Sequence, residues 1–141
     1  MKTISSNILI LTFVLFSCGS ASEVTDEIQG NYKFIYPTGQ VEIVAIKNDH
    51  TYSKTIYSNE NDFVNNKQPL YNNNSTWTTK GIELEFENWI SFCEFRNPHK
   101  IVNEPKSTSM LNVLWFAPTN DRKALLSVFD ENGYVFEKVG N

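Results

Sequence analysis

The side chains able to do covalent or metal chemistry are few and scattered. The 141 residues hold two cysteines, Cys18 and Cys93, and two histidines, His50 and His99. His50 follows the turn Asn48-Asp49, and His99 follows Pro98 in a loop. Neither stands at metal-ligand spacing from another His, Cys or Asp on a common element. No nucleophile elbow, P-loop or glycine-rich fingerprint is present. Glu83, Glu85 and Glu87 alternate with Ile82, Leu84 and Phe86, the clearest period-two stretch of the chain. That alternation puts the three carboxylates on the solvated face of a strand rather than in an acid–base pair. Cys93 sits in the apolar run Ile90-Ser91-Phe92-Cys93 with no adjacent base, so it reads as a small hydrophobe rather than a reactive thiol. The residues therefore predict a protein that is not an enzyme, with no catalytic residues, metal or cofactor.

Cys18 has a different setting. It follows Lys2, the apolar stretch Ile8 to Phe16 broken only by Thr12, and Ser17. This is the layout of a secretory signal peptide. Nine helical residues span about 14 Å, roughly half the hydrocarbon core of a bilayer, which is too short for a transmembrane helix. The segment Leu15-Phe16-Ser17-Cys18 resembles the bacterial lipobox in its aliphatic residue at −3, small residue at −1 and cysteine at +1. The resemblance implies cleavage before Cys18, diacylglycerol on its sulfur and an acyl group, such as palmitate, on the new amino group. Each buried methylene contributes roughly 0.8 kcal/mol to membrane attachment, and several chains together anchor firmly. Gly19 at +2, where the enteric retention signal would be aspartate, implies the outer membrane. A competing cut after Gly19-Ser20-Ala21 would release a soluble protein beginning at Ser22. Lipidation of Cys18 leaves Cys93 without an intramolecular disulfide partner.

With Lys2 removed, 11 basic residues face 16 acidic ones, a net charge near −5. No basic cluster offers a phosphate-backbone footprint, which argues against a nucleic-acid partner. Alanine occurs only four times, while Asn, Thr, Tyr and Phe abound, and this balance favours strands and turns over helices. The organisation expected is a leader (1–17), a polar tether (18–29) with one helical turn near Thr25–Ile28, and one domain (30–141). Strands are predicted over 31–36, 41–47, 51–57, 75–79, 82–90, 107–117, 123–129 and 134–139. Their separators carry turn chemistry, such as Pro37-Thr38-Gly39-Gln40 and Lys80-Gly81. An Asn-rich insertion (58–74) and a loop or edge with two prolines (96–106) interrupt the pattern. About eight short antiparallel strands with hairpin links predict an all-β, up-and-down barrel, with a β-sandwich as the alternative.

Gly30-Asn31-Tyr32, the Trp77 strand before Gly81, "IELEFENW" and the closing "YVFEKV" resemble the small lipocalin-like lipoproteins of Bacteroidota-type bacteria. The likeness spans roughly residues 30 to 139 and implies a meander barrel, with Tyr32 where lipocalins carry the Trp of G-x-W. In such a barrel Trp77, Trp89 and Trp115, with Tyr32, Phe34, Tyr36 and Phe86, converge inside. They serve either as packing or as the wall of an apolar ligand site. Two functions follow as expectations. One is a lipid-anchored, non-catalytic binding module at the periplasmic or outer surface, taking a small apolar ligand between Trp77, Trp89, Trp115, Tyr32, Phe34 and Phe86. The other is an inhibitor- or immunity-type lipoprotein that meets an envelope protein through the 58–74 and 96–106 loops.

Overall fold

The computed structural model describes residues 26–80, 83–94, 97–120, 123–128 and 134–140, with the side chains of 93–105 and of Leu125 outside that description. The expected leader, Cys18 and the first part of the expected tether also lie outside it, as do the side chains of Cys93 and His99.

Eight strands follow in order: β1 (Gly30–Ile35), β2 (Val41–Ile46), β3 (Thr51–Tyr57), β4 (Tyr71–Lys80), β5 (Glu83–Glu94), β6 (Asn97–Phe116), β7 (Leu125–Val128) and β8 (Tyr134–Val139). A short helix, α1 (Glu60–Val64), stands between β3 and β4. Each strand pairs antiparallel with the next, and β8 returns to β1 through Asn31↔Val139, Tyr32↔Lys138 and Lys33↔Glu137. The sheet is thus a closed up-and-down barrel and not a sandwich. Closure satisfies the backbone groups that two free edges would leave unpaired.

Strand registers fix what points inward. Tyr32 is opposite Val44, Phe34 opposite Glu42, and Val44 opposite Lys54. Period-two alternation then carries Tyr52 and Ile56 inward beside Lys54, and β3 alternates between buried and half-buried residues throughout. Facing strands add Trp77, Leu84, Phe86, Val113, Trp115, Leu126, Val128, Tyr134 and Phe136 to one buried cluster. Glu85 and Glu87 stand on the opposite face of β5 from Leu84 and Phe86, as their alternation predicts.

A meander sends its connections alternately to the two ends of the barrel. One end carries the start of β1, the 47–50 turn, the β6–β7 connection and the C-terminus. The other carries the 36–40 turn, α1 and the far part of the β5–β6 ribbon. At the first turn, Gly39 adopts φ 95°, a conformation open to glycine without strain, and its N–H donates to Tyr36 O.

Two expectations need correction, and a third is met. The insertion at 58–74 is shorter than its polarity suggests. Asn59 caps α1 by accepting from the Asp62 N–H, and β4 already begins at Tyr71, so Asn72, Asn73 and Asn74 pair with β3. Cross-strand pairing overrides the low strand propensity of asparagine here. Of the two readings of 96–106, the edge holds and the loop does not: from Asn97 onward it is β6, a 20-residue strand paired along β5. Its prolines are tolerated because this part of β6 has a partner on one side only and the pairing is irregular between Ser91 and Glu94. The helical turn expected near Thr25–Ile28 is present over 26–28, and its Ile28 is 1% exposed, plugged into the barrel end.

Candidate functional site

β2 and β3 each deliver one charged side chain into the apolar interior. Glu42 and Lys54 are both fully buried, with Lys54 Nζ 2.6 Å from Glu42 Oε1. They sit diagonally across the β2–β3 pair, since Glu42 opposes Ile56 and Lys54 opposes Val44, and long side chains bridge that offset. Around them the interior supplies polar groups from three further elements. The Tyr36 and Tyr134 hydroxyls both reach Glu42 Oε2, Tyr134 at 2.8 Å, and stand 2.8 Å from each other. Two hydroxyl protons thus serve three short contacts. Lys54 Nζ also donates to the Ile90 carbonyl and lies 4.0 Å from the centroid of the Trp89 ring.

The energetics explain why so many partners gather. Burying an ion costs several kcal/mol even after relaxation, and the attraction of its partner compensates only when further hydrogen bonds are made. Here the carboxylate receives phenol donors, and the ammonium meets a carbonyl and an indole face. A desolvated cation–π contact of this kind contributes about 2 kcal/mol.

The ribbon reaches this network because Asn88 breaks the alternation of β5. Its φ of 50° turns the chain, leaving Glu87 and Asn88 exposed and sending Trp89 inward. Trp89 then packs on Tyr52, Phe86 and Phe136, while Phe92 meets Tyr71 edge-on at 4.9 Å. Asn73 Nδ2 donates to the Asn88 carbonyl and Tyr52 to the Glu87 carbonyl, so the bend is hydrogen-bonded to β3 and β4. Trp89 Nε1 is buried and has no hydrogen-bond partner among the described residues.

The six residues expected to line a ligand site share this interior. Tyr32, Trp77, Phe86, Trp89 and Trp115 are buried in one cluster, and Phe34 packs against it half-buried. They occupy different depths. Trp77 closes the tether end, donating from Nε1 to Lys47 O at 3.1 Å. Nearby, Trp115 Nε1 donates to the Tyr32 hydroxyl at 3.1 Å, and that hydroxyl donates to Ile28 O at 2.6 Å. Burial pushes the Tyr32 phenol up to about 12 against the lowering effect of the Trp115 donor, and burial also raises Tyr52. Phe34 and Trp89 lie toward the opposite end, with Phe34 against Tyr36, Tyr134 and Phe136.

Reading composition and motifs alone misses Glu42 and Lys54, though a signal is there. In VEIVAI the carboxylate shares the parity of Val44 and Ile46, and in TYSKTIY the lysine shares that of Tyr52 and Ile56. One opposite charge at the inward parity of each neighbouring strand is the mark of a buried pair. His50 is exposed in the left-handed conformation (φ 61°) with its ring 5.2 Å from Trp77, at the rim rather than in the network. Among the described residues no group of three or more His, Cys, Asp or Glu side chains is placed to hold a metal. Compared with family models, curated proteins and solved structures, the chain matches none at significance.

Proposed function

We propose that this protein is a lipid-anchored envelope lipoprotein, held by acylated Cys18, whose barrel is a non-catalytic module for binding another envelope protein. One observation carries this reading: the distribution of elements between the barrel ends. The N-terminal chain enters at one end, where Ile28 is plugged. α1 and the far part of the β5–β6 ribbon gather at the other. An anchor at Cys18 then leaves the second end facing away from the bilayer. Segments 60–70 and 97–106 are far apart in sequence, yet the meander sends both toward that outer end.

The experiment has two parts. Intact-mass measurement of the protein extracted from membranes is expected to show cleavage before Cys18 and a diacyl or triacyl mass increment. Photo-crosslinkable side chains placed at Val64 and Leu70, both strongly exposed, are expected to give one protein adduct in intact cells. The same group at Lys47, on the tether end, is expected to give none. An unacylated N-terminus removes the anchoring half of the reading, and adducts independent of position remove the docking half.

A second reading, a small apolar ligand within the barrel, is favoured by Trp89 Nε1. A buried indole N–H without a partner is costly, on the order of 1–3 kcal/mol, and a ligand acceptor would relieve it. Native mass spectrometry of protein taken directly from membranes tests this, through a mass retained beyond the acyl groups and lost on Trp89→Phe.

A further inference from the structure

The β5–β6 ribbon leaves the barrel wall partway along. The β4–β5 ladder ends at Trp77↔Phe86, and the β6–β7 ladder ends at Leu114↔Ser127. Beyond those pairs β5 and β6 are laddered only to each other among the described residues. The departure falls at Asn88, whose φ of 50° is a left-handed turn that asparagine tolerates better than most residues. Past that point the ribbon is held from one strand. β5 turns Trp89 and Phe92 into the buried cluster, whereas every residue of β6 over 106–110 is exposed. The polar attachments are single side-chain bonds rather than a ladder. Tyr52 donates to Glu87 O at 2.8 Å and Asn73 to Asn88 O at 2.9 Å, and Asn88 Nδ2 donates to Ser75 Oγ at 3.3 Å. Further along, Lys54 Nζ donates to Ile90 O. A segment with few buried side chains and no ladder to the body opens locally more readily than the core.

We propose that the ribbon beyond Asn88 is a hinged flap, which swings away as a unit while the barrel wall stays closed, and that it is the entrance to the interior around Glu42 and Lys54. Opening keeps the β5–β6 ladder whole, because the two strands carry each other. The bonds to Glu87 O and Asn88 O fix the bend in its closed form, and the Lys54 bond to Ile90 O latches it. Opening lifts Trp89 from the Lys54 ammonium, 4.0 Å from its ring centroid, and Phe92 from Tyr71, and so uncovers the ion pair. Burial of those two rings keeps the closed form dominant. Trp89 Nε1 weakens that hold, since it is buried without a hydrogen-bond partner among the described residues. The entrance role rests on the reading of a small ligand within the barrel. The opening itself does not.

The indole N–H protons supply the probes. That of Trp89 has no bond within the described structure to break, so its exchange with D2O needs only solvent entry. That of Trp115 is bonded to the Tyr32 hydroxyl at the tether end and reports on the barrel wall. Proton NMR of the mature protein is expected to show Trp89 exchanging about tenfold faster than Trp115, or more. Asn73→Ala and Tyr52→Phe loosen the bend and leave the ion pair in place. Each is expected to speed Trp89 exchange about fivefold, the worth of one hydrogen bond, with Trp115 unchanged. A molecule retained by the protein in native mass spectrometry is expected to leave faster by the same factor in both variants. Equal exchange of Trp89 and Trp115, or Trp89 exchange that neither variant moves, overturns the flap. Fast, variant-sensitive Trp89 exchange with no retained molecule, or with release unchanged in the variants, overturns the entrance role and leaves the flap. A retained molecule beside equal indole exchange overturns the flap and leaves the ligand reading, so the two fail separately.

Discussion

Glu42 and Lys54 hold the most demanding positions in the molecule, because each is tolerable only while the other is present. Lys54→Met leaves a carboxylate in the interior with only phenol donors, and breaking a buried pair in this way costs about 3–5 kcal/mol. The double variant Glu42→Leu/Lys54→Met removes both charges and is expected to recover most of that loss, since replacing a whole buried pair by apolar groups is often neutral. Denaturant unfolding of the two variants measures the difference, and equal destabilisation would show that the pair is not coupled. Tyr32 makes a second prediction at this scale. Its phenol is raised from 10.0 to about 12 in the folded protein, chiefly by burial. Between those values the folded state holds a proton that the unfolded state has released. Its contribution is therefore complete below pH 10 and is lost as the pH rises toward 12. Stability measured across that range, with tyrosinate absorbance followed in parallel, is expected to fall less steeply in Tyr32→Phe.

At the scale of elements, the two short helical pieces do different work. The turn at 26–28 inserts Ile28 into the core and is tied down by the Tyr32 hydroxyl on Ile28 O and by Lys138 on Glu27 O. Ile28→Ala is expected to cost about 2–5 kcal/mol, the usual range for emptying a buried aliphatic site. A polar tether would lose nothing on the same change, so thermal melts of this variant discriminate directly. Helix α1 contributes no buried residue, but it lies against the outer wall of the barrel, with Lys33 Nζ 2.9 Å from Glu60 Oε1 and Phe63 against Tyr57. Removing its cap in Asn59→Ala is expected to cost about 1 kcal/mol locally. Amide exchange is expected to accelerate at residues 62–66 while β2 and β3 stay protected. A comparable acceleration in the barrel strands would show that α1 is part of the cooperative unit.

For the molecule as a whole, the seam between β1 and β8 decides whether the sheet is a barrel. Three residue pairs form it in the ladder among the described residues, and β8 also brings Tyr134 to the Glu42 carboxylate and Phe136 to Trp89. Deleting residues 134–141 would expose the edges of β1 and β7 and take two aromatic side chains from the core. The truncated chain is expected to lose its near-ultraviolet circular dichroism and to aggregate, as open edges promote. A soluble monomer with native near-ultraviolet signal would mean that closure is dispensable.

Local chemistry in the chain was enough to determine the strand count, most turns, the outward row of glutamates and the inward aromatics. Period-two alternation and turn residues act over a few positions and need no distant partner. Strand ends were legible only where a turn residue marked them. The Asn-rich stretch 72–74 and the proline-bearing 97–106 became strand because neighbouring strands offered ladders to pair with, a force absent from the stretches themselves. Tertiary structure alone decided two matters: the arrival of Tyr134 at the Glu42–Lys54 pair, and the gathering of α1 and the ribbon at the end opposite residues 26–28. Each depends on register and closure, which bring together residues from separate strands and connections. Tyr134 reaches Glu42 from 92 residues further along the chain, beyond any local window.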